Sequence, residues 1–353
     1  MHFFKIMEVG VMGEYGVGII GFGWVAEAHL LSFIRLESFK PVAILSTRKL
    51  DPAFFKEKYG VDVKIYNDMD DFLADDNVDI VDICTPHFLH PEQTIKASEA
   101  GKAVIIEKPI ALNYQDAKRM LEVVKKNNTR TSVCFEVRFI SSAQAIKSIV
   151  KQGLIGNVYY AEADYYHGIG PWYANQRWEV KKQYGGSSLL RAGCHALDIL
   201  LYLVGGEVDE VFAYSNKSPH EVFKPYDYDL NTVVVLKFKD GKIGKVTSCT
   251  DCMQPYVFNM NIVGSHGSIK NDLFHTKKIE GLRGWSKLDV DLIDSGEVTK
   301  HPYDQQFQHF AQCLDRGVDP HNNLESAFYT HRVIFAADKS AEEGRIVKVS
   351  EFD

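Results

Sequence analysis

The stretch that decides the fold is Val17–Leu30, VGIIGFGWVAEAHL. Its apolar run breaks into Gly21-Phe22-Gly23-Trp24-Val25-Ala26 and resumes with helix-forming residues. A GxGxxA pattern has two readings. One is a phosphate cradle; the other is a tight turn from a buried strand into its helix, where glycine supplies positive φ or a close backbone approach. The surrounding chain has to separate them.

From Val17 to about Phe135, β-rich runs (VGIIG, KPVAILS, VDIVDICTP, KAVIIEKP, RTSVCFE) alternate with helical stretches (EAHLLSFIRL, DPAFFKEKYG, HPEQTIKASEAG, NYQDAKRMLEVVKKNN). That alternation calls for a parallel, doubly wound α/β sheet. In this setting Gly21 permits the turn, Gly23 lets backbone amides approach a pyrophosphate, and Ala26 lets the helix pack close on the strand. The helix N-terminus adds partial positive charge and N–H groups. Gly21, Phe22, Gly23, Trp24, Val25 and Ala26 are therefore the candidate cofactor cradle.

After Phe135 the pattern changes. A helix, SAQAIKSIVKQGLIG, leads to the alternating strand NVYYAEADYYHG, then to a loop rich in Trp and Gly and a further helix. The strands EVDEVFAYSN, DLNTVVVLKFKDG, KIGKVTSCTDC and VFNMNIVGSHGSIK follow with short turns, which predicts an open, mostly antiparallel sheet. Two helical runs close the chain. The expected division is a leader over 1–16, a dinucleotide-binding domain over 17–136, and an α+β substrate-binding and oligomerisation domain over 137–353.

Composition narrows the function. With 47 acidic against 40 basic residues the net charge is −7, which gives no basic footprint for nucleic acid. A 45% hydrophobic and 25% charged chain of 353 residues suits a soluble two-domain protein. The six cysteines are scattered, as expected of reduced thiols in the cytoplasm, and the single CxxC at Cys249 and Cys252 lacks the second pair that a structural zinc needs. No secretory signal is legible at the start, and no apolar run long enough to cross a bilayer is read, so a cytoplasmic protein is expected.

Twenty residues after Ala26, where an NAD enzyme places an acid for the ribose, the chain has Ser46-Thr47-Arg48-Lys49. A hydroxyl and a guanidinium suit a 2′-phosphate, so the expectation leans to NADP over NAD. The alternative is a solvated polar strand end.

Two further stretches carry a resemblance. CTPHFLHPEQTIKASEAGKAVIIEKPIA (84–111) and GGSSLLRAGCHALDILLYLVG (185–205) resemble the two signatures of the Gfo/Idh/MocA family of NAD(P)-dependent oxidoreductases, TP-x-x-x-H…AGK…EKP and GG-x-x-x-x-D-x-G-x-H-x-x-D. GLIGNV, GSHGSI and the closing helices extend the likeness over nearly the whole chain. The resemblance implies an N-terminal Rossmann domain, hydride transfer to or from a CH–OH group of a sugar or sugar derivative, and a homodimer or homotetramer. It places Lys108 of EKP at the nicotinamide and the reacting hydroxyl, with Glu107 in support. A cationic lysine is a general acid for carbonyl reduction, and its neutral form is a base for alcohol oxidation. Thr85 and Pro86 would shape the loop beside the nicotinamide, with His90 at the start of the next helix. Arg138 matches a family arginine near the domain junction, with an interdomain ion pair as its alternative.

In the second signature His195 would bind the substrate hydroxyl and assist the proton's passage. Residues 191, 195 and 198 are spaced to share a helix face, and Asp198 would bind substrate or orient His195. Position 191 departs from the family, which has Asp where this chain has Arg191. Arg191 would either bind an anionic substrate such as a uronate or sugar phosphate, or pair with an acid such as Asp198 or Glu179. Trp172, Arg177 and Trp178, in the aromatic loop, would line the substrate cavity or pack the loop on the sheet. No metal site is expected. Two rivals stand beside the dehydrogenase: an NAD-dependent glycosidase of the same fold, and a non-catalytic sugar or dinucleotide sensor.

Overall fold

The computed structural model describes residues 13–169, 178–292 and 297–353. Six parallel strands form the first sheet in the order β3-β2-β1-β4-β5-β6. They are β1 Tyr15–Ile20, β2 Phe39–Leu45, β3 Lys64–Tyr66, β4 Ile80–Ile83, β5 Ala103–Ile106 and β6 Thr131–Val133. The order reverses at β1 and β4, where a doubly wound sheet opens its ligand crevice. The first strand begins at Tyr15, two residues before the expected start. The expected leader otherwise lies mostly outside the described residues.

The helices between them are α1 Trp24–Arg35, α2 Pro52–Tyr59, α3 Met69–Leu73, α4 His90–Glu99 and α5 Tyr114–Lys126. Three of them start at a side-chain cap: Asp51 accepts from Ala53 N at α2, Asp68 from Asp70 N and Asp71 N at α3, and Asn113 from Asp116 N at α5. Strand residues alternate between two buried faces. Val17, Ile19, Ile80 and Ile105 pack with Ala26, Leu30 and Phe33 of α1 on one side. Val81, Ile83, Val104 and Ile106 pack with Ala97 of α4 and Met120 of α5 on the other.

The helix α6 Ser141–Lys151 leads into the second sheet. Its strands are β7 Val158–Tyr166, β8 Val208–Asn216, β9 Asn231–Phe238, β10 Ile243–Cys249, β11 Val257–Gly264, β12 Gly267–Lys270, β13 Leu273–Thr276, β14 Ser286–Lys287 and β15 Val347–Lys348. All pairings are antiparallel except β7 with β10. The segment VFNMNIVGSHGSIK, read above as one strand, is the hairpin β11–β12, turned at Ser265-His266 between two glycines. In β9, Val234 and Leu236 are buried while Val233 and Val235 stand in solvent, so this sheet has one covered and one open face.

The covered face carries α8 Cys194–Val204 and α10 Leu324–Glu343. The short α7 Lys182–Gly185 precedes α8, and between them Leu189–Gly193 winds as a π-turn. A Cβ on Gly193 would fall 2.5 Å from Ser248 Cβ, so glycine lets this wide turn press against β10. The stretch 182–204 is long and apolar enough to cross a membrane by length and composition, contrary to the expectation, but most of it is buried beneath the sheet. The helix α9 Tyr303–Arg316 returns to the first sheet and stacks Phe307 on Phe33, ring centres 4.5 Å apart. By packing, the expected second domain therefore reaches back over the first.

Candidate active site

A cleft of about 760 Å³ opens at the carboxyl ends of the parallel strands and is closed on its far side by α8, the end of β7 and the segment before α9. At one end lies the glycine turn. Gly21 has φ +82°, its N–H donates to Leu45 O at 2.8 Å, and a Cβ there would come within 3.0 Å of Thr85 and Cys84. Only glycine fits. Gly23 begins α1 with nothing within 4 Å of its would-be Cβ, and no side chain caps the helix. Open space in front of an uncapped helix N-terminus is what a pyrophosphate needs, and the residues fit a dinucleotide.

Phe22, Trp24, Val25, Ser46, Thr47, Arg48, Thr85 and Pro86 also line the cleft. Ala26 is fully buried under the turn. Ser46 Oγ accepts from Arg48 N at 3.1 Å, and the Arg48 guanidinium donates to Phe22 O, so the basic group stands at the cradle's rim. His90 is a correction. Both of its ring nitrogens lie 2.8 Å from backbone carbonyls, of Pro109 and Thr85, and the buried ring clips the loop in place with no nitrogen left for a cofactor.

Lys108 follows β5, its Nζ donating to Arg191 O at 3.1 Å. Glu107 Oε2 accepts the Lys108 N–H at 3.1 Å. Behind it His29 sits between two carboxylates, Nδ1 at 3.0 Å from Asp82 and Nε2 at 3.3 Å from Glu107. Burial opposes charge on His29, but Asp82 and Glu107 outweigh it and lift the ring to about 10. Burial likewise opposes charge on Glu107, and His29 and Lys108 hold it below its ordinary value. His29, Asp82 and Cys84, and His29, Glu107 and Cys134, bring potential metal-ligating atoms within 4.8 Å of one another. The sequence did not show these clusters because their members come from different elements. An imidazolium between two carboxylates accounts for the charge without a metal.

On the opposite wall His195 is buried, its Nε2 3.5 Å from Glu136 Oε1. His301 Nδ1 lies 3.2 Å from the same oxygen. Burial, with Lys108 and His301 adding to it, brings His195 down to about 4, so its ring is neutral at pH 7. Burial opposes charge on Glu136, yet His195, His301 and Lys108 outweigh it and bring the carboxyl down to about 2. His167, lowered to about 4 by burial and by Lys108 and Arg191, is another neutral imidazole in this wall.

The shared face expected of 191, 195 and 198 does not form, because the π-turn inserts extra backbone and re-aims Arg191. The Arg191 guanidinium pairs with Glu179, donates to Tyr228 Oη at 3.2 Å and covers the Tyr226 ring at 5.5 Å. Burial lifts Glu179 above its usual value in spite of that arginine. Asp198 is turned away from the cleft: Arg138 donates to both of its oxygens at 2.5 and 2.6 Å, and Thr330 Oγ1 adds a third bond at 3.0 Å. It neither binds substrate nor orients His195. Trp172 and Arg177 lie outside the described residues, whereas Trp178 lines the cleft edge-on to His87, 5.0 Å between ring centres.

Glu136, His301, His167 and His29 were not singled out by sequence reading. Glu136 had a usable signal, its place just past a parallel strand's carboxyl end. His301 had none, being brought in by the return of the chain from the second sheet.

The oxidoreductase family with an NAD-binding Rossmann fold matches residues 15–135, and the Gfo/Idh/MocA C-terminal domain matches residues 143–270. The chain belongs to the Gfo/Idh/MocA family. It is 29% identical to the myo-inositol 2-dehydrogenase of Thermotoga maritima over 95% of this chain and 98% of that protein. A probable dehydrogenase of Thermotoga maritima superposes with a TM-score of 0.81 at 26% identity, covering 96% of this chain and 100% of that one. The scyllo-inositol dehydrogenase of Lactobacillus casei, solved with NAD(H) and scyllo-inositol, shares the fold with a TM-score of 0.80 at 20% identity, covering 96% and 99%. As a Gfo/Idh/MocA protein the chain is an oxidoreductase with an NAD-binding Rossmann domain and a mixed, mostly antiparallel C-terminal sheet.

Proposed function

We propose that this protein oxidises a CH–OH group of a sugar or cyclic polyol, or reduces the matching carbonyl, with Lys108 as the acid–base group. The observation that carries the reading is that Lys108 and His195 open on the same cleft as the Gly21–Ala26 turn. The inositol dehydrogenases among its relatives support the substrate class. A bound nicotinamide supplies or takes the hydride. Lys108 Nζ receives the hydroxyl proton in oxidation and returns it in reduction. Glu107 fixes the backbone beneath Lys108, and His195 presents a neutral ring to a substrate hydroxyl.

Ser46 and Arg48, with no acid beside them, favour NADP over NAD. Arg191 is committed to Glu179, which favours a neutral substrate over an anionic one. The open face of the second sheet, with Tyr214, Val233 and Val235 in solvent, supports a homo-oligomer assembled through it.

The test is a panel of inositols, sugars, uronates and nucleotide sugars, followed at the nicotinamide absorbance with both cofactors. Reduction of the nicotinamide by a neutral polyol or sugar is expected. Cofactor binding without turnover of any compound would favour the sensor, and glycoside cleavage without net reduced cofactor would favour the glycosidase.

A further inference from the structure

Three carboxylates line the cleft among the described residues. Glu179 is held by Arg191, and Glu107 accepts the Lys108 backbone N–H through Oε2 while its Oε1 lies 3.3 Å from His29. Glu136 instead faces two imidazoles, His195 and His301. Its Oε2 is buried with no hydrogen-bond partner, and so is His195 Nδ1. Glu107 Oε1 and His301 Nδ1 share that condition. Buried polar atoms without partners are rare in folded proteins, and four of them in the wall of one cleft, three on Glu136, His195 and His301, mark a place where a ligand completes the bonding. The three side chains come from distant pieces of chain: the end of β6, α8 and the segment entering α9. The π-turn leading into α8 offers arginine, not a carboxylate, at position 191.

We propose that Glu136 is the carboxylate of the substrate subsite, positioning His195 and accepting a hydrogen bond from a substrate hydroxyl. This rests on the oxidoreductase reading above. An anion 3.5 Å from His195 Nε2 favours the N–H on that nitrogen and stabilises the imidazolium when the ring gains a proton. The other charged and titratable groups around the pair are Lys108 and Glu107 after β5, Cys134 after β6, Cys194 and Asp198 of α8, Lys300 and His301 before α9, and Tyr303 of α9. Arg138, on Glu136's own segment, is turned to Asp198.

The experiment compares wild type, Glu136→Gln and Glu136→Asp. Glu136→Gln should raise KM for the best neutral substrate of the panel about tenfold or more, leave cofactor affinity within about threefold, and be partly rescued by Glu136→Asp. An unchanged KM overturns the hydroxyl contact. Positioning is read without substrate, by ¹⁵N-histidine NMR with His195→Gln as the assignment control. Between pH 7.5 and 4.5 the wild-type His195 should begin to protonate at the acid end, and in Glu136→Gln that onset should move down by about one pH unit or more. Identical titration in both overturns the positioning role. Should the panel yield no turnover in the wild type, the oxidoreductase reading fails while the NMR comparison still decides this one.

Discussion

Breaking the buried Arg138–Asp198 pair should cost stability while sparing the chemistry. Asp198 is 1% exposed and takes two bonds from Arg138 and one from Thr330; Arg138 also donates to Ser326 Oγ at 3.0 Å and to His321 O at 2.5 Å. Arg138→Met leaves that carboxylate buried without its cation, which costs about 3–5 kcal/mol. Replacing both partners, in Arg138→Met/Asp198→Leu, removes the buried charge and should recover a large part of the loss.

The sign of the pH dependence follows from Asp198. Burial already sets its folded pKa above the unfolded value despite Arg138, and loss of the arginine raises it further. A carboxyl raised on folding binds more protons folded than unfolded, so stability falls as pH rises from the unfolded pKa toward the folded one. Arg138→Met should therefore be penalised more at pH 8 than at pH 5, and the double variant should show little of this difference. Urea unfolding at both pH values measures it, with kcat/KM of the double variant at a permissive temperature as the functional control. Additive penalties, with the double variant as weak as the sum of its parts, would refute the buried-pair argument. A collapse of kcat/KM in a folded double variant would return Asp198 to the site.

Arg48→Ala should narrow the preference for NADPH over NADH by about 1–3 kcal/mol in binding titrations, and a neutral effect would remove Arg48 from cofactor choice. Arg191→Ala should change KM for a neutral sugar and for its uronate by similar factors, because the guanidinium is held by Glu179; a rise confined to the uronate would restore the anion-binding role. Val235→Glu, a charge placed on the open sheet face, should shift sedimentation toward smaller species by at least tenfold in dissociation constant, and an unchanged profile would move the contact elsewhere.

The parallel sheet was legible because its strands are buried on both faces and read as short apolar runs, and because Gly21 and Gly23 stand where that sheet turns into its first helix. The second sheet was legible from the alternation in β9 and β7, but the β11–β12 hairpin was hidden in a segment apolar on both sides of its turn. Helical spacing misplaced Arg191 because it assumes 3.6 residues per turn, and Leu189–Gly193 winds wider; Asp198 keeps its helical register on α8 but is claimed by Arg138 and Thr330, partners that no spacing reveals. Glu136 and His301 are adjacent only in three dimensions, so no spacing rule could have paired them.

The central claim is that Lys108 moves the proton in a nicotinamide-dependent reaction, and Lys108→Met tests it most directly. Dinucleotide binding, followed by fluorescence titration, should stay within about threefold of wild type because the Gly21–Ala26 cradle is untouched, while hydride transfer in single turnover falls by about two to four orders of magnitude. Near-normal transfer by Lys108→Met on the true substrate would contradict the account.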